Sequence, residues 1–173
     1  MDWSEVNLER QEWIIPSART KNKRDHLVPL TPAQLDILTS MEPEGGAQRG
    51  PVFTHNGNKP INSFPKMKKK LDAAMAEIVS ERSTVMGAPV EVVTNWRLND
   101  FRRSFATGCE GLKVPVTHTE AVLNHWSGSK KGIASVYHLH EYQAEKAEAL
   151  LKWEAHLMGL LEADALVLKG AGR

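Results

Sequence analysis

Leu98-Asn99-Asp100-Phe101-Arg102-Arg103-Ser104 and, further along, Leu123-Asn124-His125-Trp126-Ser127-Gly128 leading to Val136-Tyr137 carry the residues from which this chain is best read. Leu98, Phe101 and Phe105 recur at helical spacing and predict an apolar stripe facing a core, with Asn99, Arg102 and Arg103 pointing elsewhere. Thr117-His118-Thr119-Glu120 matches a capping box and predicts a helix through Leu123. Residues 127–131 read as a Ser/Gly/Lys turn before Tyr137. An arginine pair, a histidine and a tyrosine are thus candidates to gather around one phosphate. Metal-free phosphodiester chemistry needs fixed cations on the non-bridging oxygens, a nucleophile and a proton donor for the leaving oxygen. A guanidinium is always charged and forks onto two oxygens, so Arg102 suits the first role. A phenol has a pKa of about 10, so Tyr137 serves as nucleophile only if its proton leaves during attack.

On either side of this stretch the chain alternates between two kinds of pattern. Residues 1–30 predict a small antiparallel sheet: 12–16 and 26–30 are β-prone runs joined by the basic loop 19–25, and 6–8 is a shorter third strand. Thr31-Pro32 opens a helix with Leu35 and Leu38 on its buried face. Residues 42–50 form a Pro/Gly-rich loop and 51–54 a short extended piece. Asn62-Ser63 with Pro65 starts a second helix, in which Met67, Leu71, Met75 and Ile78 keep helical spacing, and 83–94 is a loop. Ala147, Leu150, Trp153, Leu157 and Leu160 mark a last amphipathic helix, which either packs on its own domain or docks on a second copy. Tyr142 is placed on the same buried face. The class is α+β, mainly α, in one domain without repeats: sheet 1–30, helical core 31–138, C-terminal helix and tail 139–173.

A chain of 173 residues with 41% hydrophobic composition is sufficient for one core. The sequence shows no membrane-spanning run and no signal peptide, and its single cysteine, Cys109, makes no internal disulfide, so a reducing, cytoplasmic setting is expected. A net charge of +1 makes no case for nucleic acid, but the charges are unevenly placed. Arg19, Lys21, Lys23 and Arg24 cluster, as do Lys66, Lys68, Lys69 and Lys70, then Arg97, Arg102 and Arg103, while the final helix is acidic. Basic clusters beside candidate site residues point to a phosphate-facing surface. His138 and His140 lie near His125 in sequence, yet there is no zinc-type Cys/His spacing and no His-Glu-x-x-His motif, so neither a metal nor another cofactor is expected.

These motifs resemble those of the tyrosine recombinases, specifically phage- and genomic-island-type integrases, over roughly residues 1 to 157. The resemblance implies site-specific DNA recombination through a 3′-phosphotyrosyl intermediate on Tyr137. His125 would contact the scissile phosphate or the nucleophile, with Arg102 as phosphate cation. Thr20-Lys21-Asn22-Lys23 ahead of Val28-Pro29 resembles the family's hairpin lysine, making Lys21 the general acid for the leaving 5′ oxygen and Lys23 its alternate. Lys23, Arg24, Lys66, Lys69, Lys70 and Arg103 are then expected to face double-stranded attachment-site DNA, in a nucleoid-associated protein that self-associates on DNA through its last helix.

Two departures qualify this expectation. Asn99 stands where the family has a histidine, and an amide hydrogen-bonds but takes no proton near neutral pH. Trp3-Ser4-Glu5 resembles a string that in the family follows a Gly-x-Arg-x-Gly-Glu helix. The chain therefore reads as the back part of a catalytic domain without its first arginine, and as weak or inactive by itself. The alternative is a catalytically inactive DNA-binding remnant, with a topoisomerase-like relative ranked last.

Overall fold

The computed structural model describes residues 1–43, 49–125 and 142–170, the last six by backbone alone. Its architecture is α+β and mainly helical, as expected from the sequence. The sheet is antiparallel in the order β1 (Val6–Asn7), β2 (Glu12–Ile15), β3 (His26–Pro29). Trp13 pairs with Val6 on one side and Val28 on the other, and Ile14 with Leu27, so aromatic and β-branched side chains fill the pleat they favour. The described α-helices are α1 (Pro32–Ser40), α2 (Phe64–Met86), α3 (Leu98–Gly111), α4 (Val116–Val122) and α5 (Gln143–Gly170).

Two apolar clusters hold these elements. The first joins Trp3, Leu30, Leu38 and Val52, with Trp13 and Leu35 packed against it. Residues 50–52 run beside the first three: the Trp3 amide donates to Gly50 O at 2.9 Å and the Val52 amide to Met1 O at 3.2 Å. The second cluster joins Phe105 and Cys109 of α3, Val114, and Ala149 and Leu150 of α5, with Val28, Val122 and Trp153 alongside. Here α5 lies across β3, α3 and α4 at once. Its buried Lys146 donates to Leu27 O at 2.9 Å, and its Glu154 accepts from the Thr31 hydroxyl and, at 3.1 Å, from the Ala33 amide. Helix α1 begins where Thr31-Pro32 placed it, with Gln34 Oε1 taking the Thr31 amide at 3.0 Å.

Several expectations are corrected. Helix α2 continues through residues 83–86, read as loop; there the Ser83 and Thr84 hydroxyls are accommodated within the helix by bonding back to Val79 O and Ser80 O at 2.9 and 3.0 Å. It stops at Gly87, whose φ of 63° suits a glycine. Helix α4 begins at Val116 rather than from a Thr117 cap: Pro115 supplies the first carbonyl, and Thr119 turns its hydroxyl back toward it at 3.5 Å. The stripe of α3 is buried only in its second half. Leu98 and Phe101 are exposed, and Phe101 is 60% exposed with Trp96 edge-on at 5.4 Å, so it does not face the core. Along α5, Leu150 is buried and Trp153 partly so, but Leu157 and Leu160 are open to solvent. Tyr142 has φ 51°, precedes α5, and sits half-buried beside His118 instead of sharing the Leu150–Trp153 face.

Candidate functional site

The end of α4 is where separate parts of the chain meet. Past Val122 and Leu123 the backbone turns left-handed at Asn124, with φ 50°. The Asn124 amide then donates to Ala121 O at 3.3 Å and the His125 amide to Glu120 O at 2.9 Å. That pair of bonds is a Schellman closure, and asparagine is second only to glycine at its left-handed position. The closure uses the Glu120 and Ala121 carbonyls and leaves those of Val122 and Leu123 for outside donors.

Both are taken. Arg102 of α3 donates from Nη2 to Leu123 O at 2.6 Å. His26, at the start of β3, places Nε2 3.0 Å from Val122 O and donates in its Nε2–H tautomer. Electron-rich carbonyls at a helix C-terminus favour such cationic or polar donors. A third tie comes from the hairpin tip, where Asn22 Nδ2 donates to Asn124 Oδ1 at 2.8 Å. One turn thus collects α3, the sheet and the hairpin.

Of the sequence-predicted residues, Arg102 and His125 are brought to this turn, and Lys21 stands next to Asn22 on the hairpin tip. His125 has a side chain 65% exposed, with Nδ1 4.0 Å from Glu120 Oε1. A guanidinium carries five N–H donors, and only one nitrogen of the exposed Arg102 is committed to Leu123. The turn thus presents the remaining Arg102 N–H groups and the His125 imidazole to solvent, with Lys21 exposed beside Asn22 in sequence. Asn99 lies exposed one turn before Arg102 on α3. Arg103 points to solvent and pairs with Asp100 at 3.4 Å. Lys23 and Arg24 are exposed on the tip, Lys23 with φ 57°. Tyr137, the turn at 127–131, His138 and His140 lie outside the described residues.

The α2 lysines form a separate surface. Lys66, Lys69 and Lys70 are exposed, whereas Lys68 is engaged: it meets Asp72 at 2.7 Å and lies 4.5 Å above the Trp96 ring. The Lys68 hydrogen bond, with a second from Trp96 Nε1 at 2.8 Å, holds the Asp72 carboxyl below its ordinary pKa. This contact is what links α2 to the approach to α3. Arg19, counted among the basic cluster, is exposed but paired with Glu5 at 3.0 Å.

His26 is buried at this turn, and its surroundings shift its titration. Burial pushes its pKa below 6.5, the Lys146 ammonium adds to that, and the bond to Val122 O opposes it. Sequence reasoning missed His26, Asn22 and Asn124 as members of this turn. Asn124 carried a readable signal, since asparagine after a helix marks a left-handed stop; Asn22 and His26 carried none, because their partners lie about a hundred residues away. Among the described residues no group of three or more His, Cys, Asp or Glu is placed to hold a metal, and no helix is long and apolar enough to cross a membrane.

In sequence the chain is similar to the prophage integrase IntA of Escherichia coli strain K12, at 29% identity over 168 residues. The match covers 96% of this chain and 36% of that protein, so the chain spans little more than a third of its relative's length. This similarity supports a relationship to the integrases. No family model matches the chain, and no solved structure does.

Proposed function

We propose that this chain contributes the phosphate-binding part of an integrase active site of the tyrosine-recombinase class, acting on double-stranded DNA. The observation that carries the reading is the turn after α4, where Arg102, His125 and the Lys21 hairpin are gathered by three hydrogen bonds from distant parts of the sequence. In the proposed reaction Tyr137 Oη attacks phosphorus, the P–O5′ bond breaks, and a 3′-phosphotyrosyl ester forms. The Arg102 fork and His125 stabilise charge on the non-bridging oxygens, and Lys21 Nζ gives its proton to the departing 5′ oxygen. The phenol proton passes to solvent during attack, since forming the phenolate beforehand at neutral pH costs about 4 kcal/mol. Binding without turnover is the second reading, favoured by Asn99, whose amide offers no titratable proton beside Arg102.

Nicked suicide duplexes of randomised sequence test both readings. The 173-residue chain should bind them with strong salt dependence and form little covalent adduct, and Tyr137→Phe should abolish what adduct there is. Robust adduct formation by the wild-type chain would dismiss binding without turnover. Adduct that survives Tyr137→Phe would remove Tyr137 as nucleophile, and salt-independent binding, or none, would remove the DNA-phosphate reading altogether.

A further inference from the structure

Asn22 fastens the tip of the β2–β3 hairpin to the turn that presents His125. Its Oδ1 accepts the Arg24 amide at 3.2 Å, which fixes the orientation of the side-chain amide and turns Nδ2 outward. That Nδ2 donates to Asn124 Oδ1 at 2.8 Å. Both ends of the bond are already held in place. On the hairpin, the Thr20 hydroxyl bridges Ser17 O and Arg24 O at 3.1 and 2.8 Å, and Asp25 Oδ1 takes the Ser17 amide at 2.7 Å. On the other side, Asn124 is the left-handed residue of the α4 closure. The base of the hairpin is tied separately, through His26 to Val122 O at 3.0 Å.

We propose that Asn22 and Asn124 are a positioning pair, whose amide–amide bond sets where Lys21 stands relative to Arg102 and His125 so that all three reach one DNA phosphate. The inference rests on the DNA-phosphate reading above and adds to it two residues that touch neither substrate nor reacting atoms. Asn22 is exposed, so when the pair opens its amide turns to water and the hairpin keeps its own Thr20 and Asp25 bonds. What changes is the place of the hairpin tip. The pair therefore acts through Lys21 and not through stability.

Two variants read it. Asn22→Ala offers Asn124 neither donor nor acceptor, so it breaks the bond without changing the charge facing DNA. Lys21→Ala removes the group that the bond positions. Fluorescence anisotropy with the full chain and a short duplex, across a salt series, reads the difference, with thermal melting alongside. Asn22→Ala should bind about threefold more weakly than wild type and lose about one unit of salt slope, the share of one phosphate contact. Melting temperatures should stay close, and in a Lys21→Ala background Asn22→Ala should add nothing. Wild-type binding by Asn22→Ala, or an Asn22→Ala effect undiminished by Lys21→Ala, would overturn the proposal. A wild-type chain without salt-dependent binding would instead overturn the DNA-phosphate reading, and this inference with it.

Discussion

Gly108 shows how one absent methyl group decides a contact. It lies inside α3, where alanine ordinarily exceeds glycine by about 1 kcal/mol of helix stability. A Cβ there would overlap three ring carbons of Trp153, which is packed edge-on against Phe105 at 5.8 Å, so the indole would have to move. Gly108→Ala should therefore destabilise the protein by about 1–3 kcal/mol despite its better helix propensity. Gly159 of α5 has nothing within 4 Å of such a Cβ, and Gly159→Ala should stabilise by up to about 1 kcal/mol. Chemical denaturation of the two variants gives opposite signs if this is right. The sequence could not have separated these glycines, since each simply interrupts an amphipathic run. Arg102 and His125 were singled out by their local strings and do meet at one turn, whereas nothing local in the sequence shows what Asn22 touches.

Where two helices meet, Glu154 caps a helix other than its own. Its carboxylate takes the Thr31 hydroxyl and the Ala33 amide, so the N-terminus of α1 is closed from α5. Glu154→Ala would leave these partly buried donors without their acceptor and should cost about 1–3 kcal/mol. Glu148→Ala, which removes an exposed pair with Lys152, should shift the melting temperature far less. The starts of α1 and α2 were readable because Thr31-Pro32 and Ser63-Phe64-Pro65 act locally, whereas α4 begins at Val116 and not from the Thr117 cap its string suggested. The fate of an apolar stripe was not. Periodicity says which face of α3 is apolar, but Phe101 is covered only if a neighbour lies there, and among the described residues its ring partner is Trp96 alone, edge-on. For the same reason Met67, Leu71 and Ile78 of α2 keep their spacing and remain 43%, 46% and 53% exposed.

Across the molecule, acid stability should turn on His26. Its folded-state pKa lies below 6.5 because burial, followed by the Lys146 ammonium, disfavours the imidazolium. The unfolded chain therefore takes up a proton that the folded chain resists. The stability contributed by neutral His26 is complete above 6.5 and is lost as pH falls from there through the folded value. Urea midpoints should decline as the pH falls below 6.5, and His26→Gln, which keeps a donor for Val122 O without titrating, should flatten that decline. An unchanged decline in the variant would assign the acid sensitivity elsewhere.

The long reach of α5 has a kinetic consequence. Lys146 bonds to a carbonyl 119 positions earlier, Glu154 to a hydroxyl 123 positions earlier, and Asn22 to an amide 102 positions later. Contacts of such separation form slowly, because a large loop must close before any of them is gained. During synthesis the hairpin emerges first and waits for the last helix before the second core can form around β3. A nascent chain stalled before α5 would carry the hairpin and its seat on Val122 and Asn124, but would lack Lys146 on Leu27 O and the Ala149–Leu150 side of the second core.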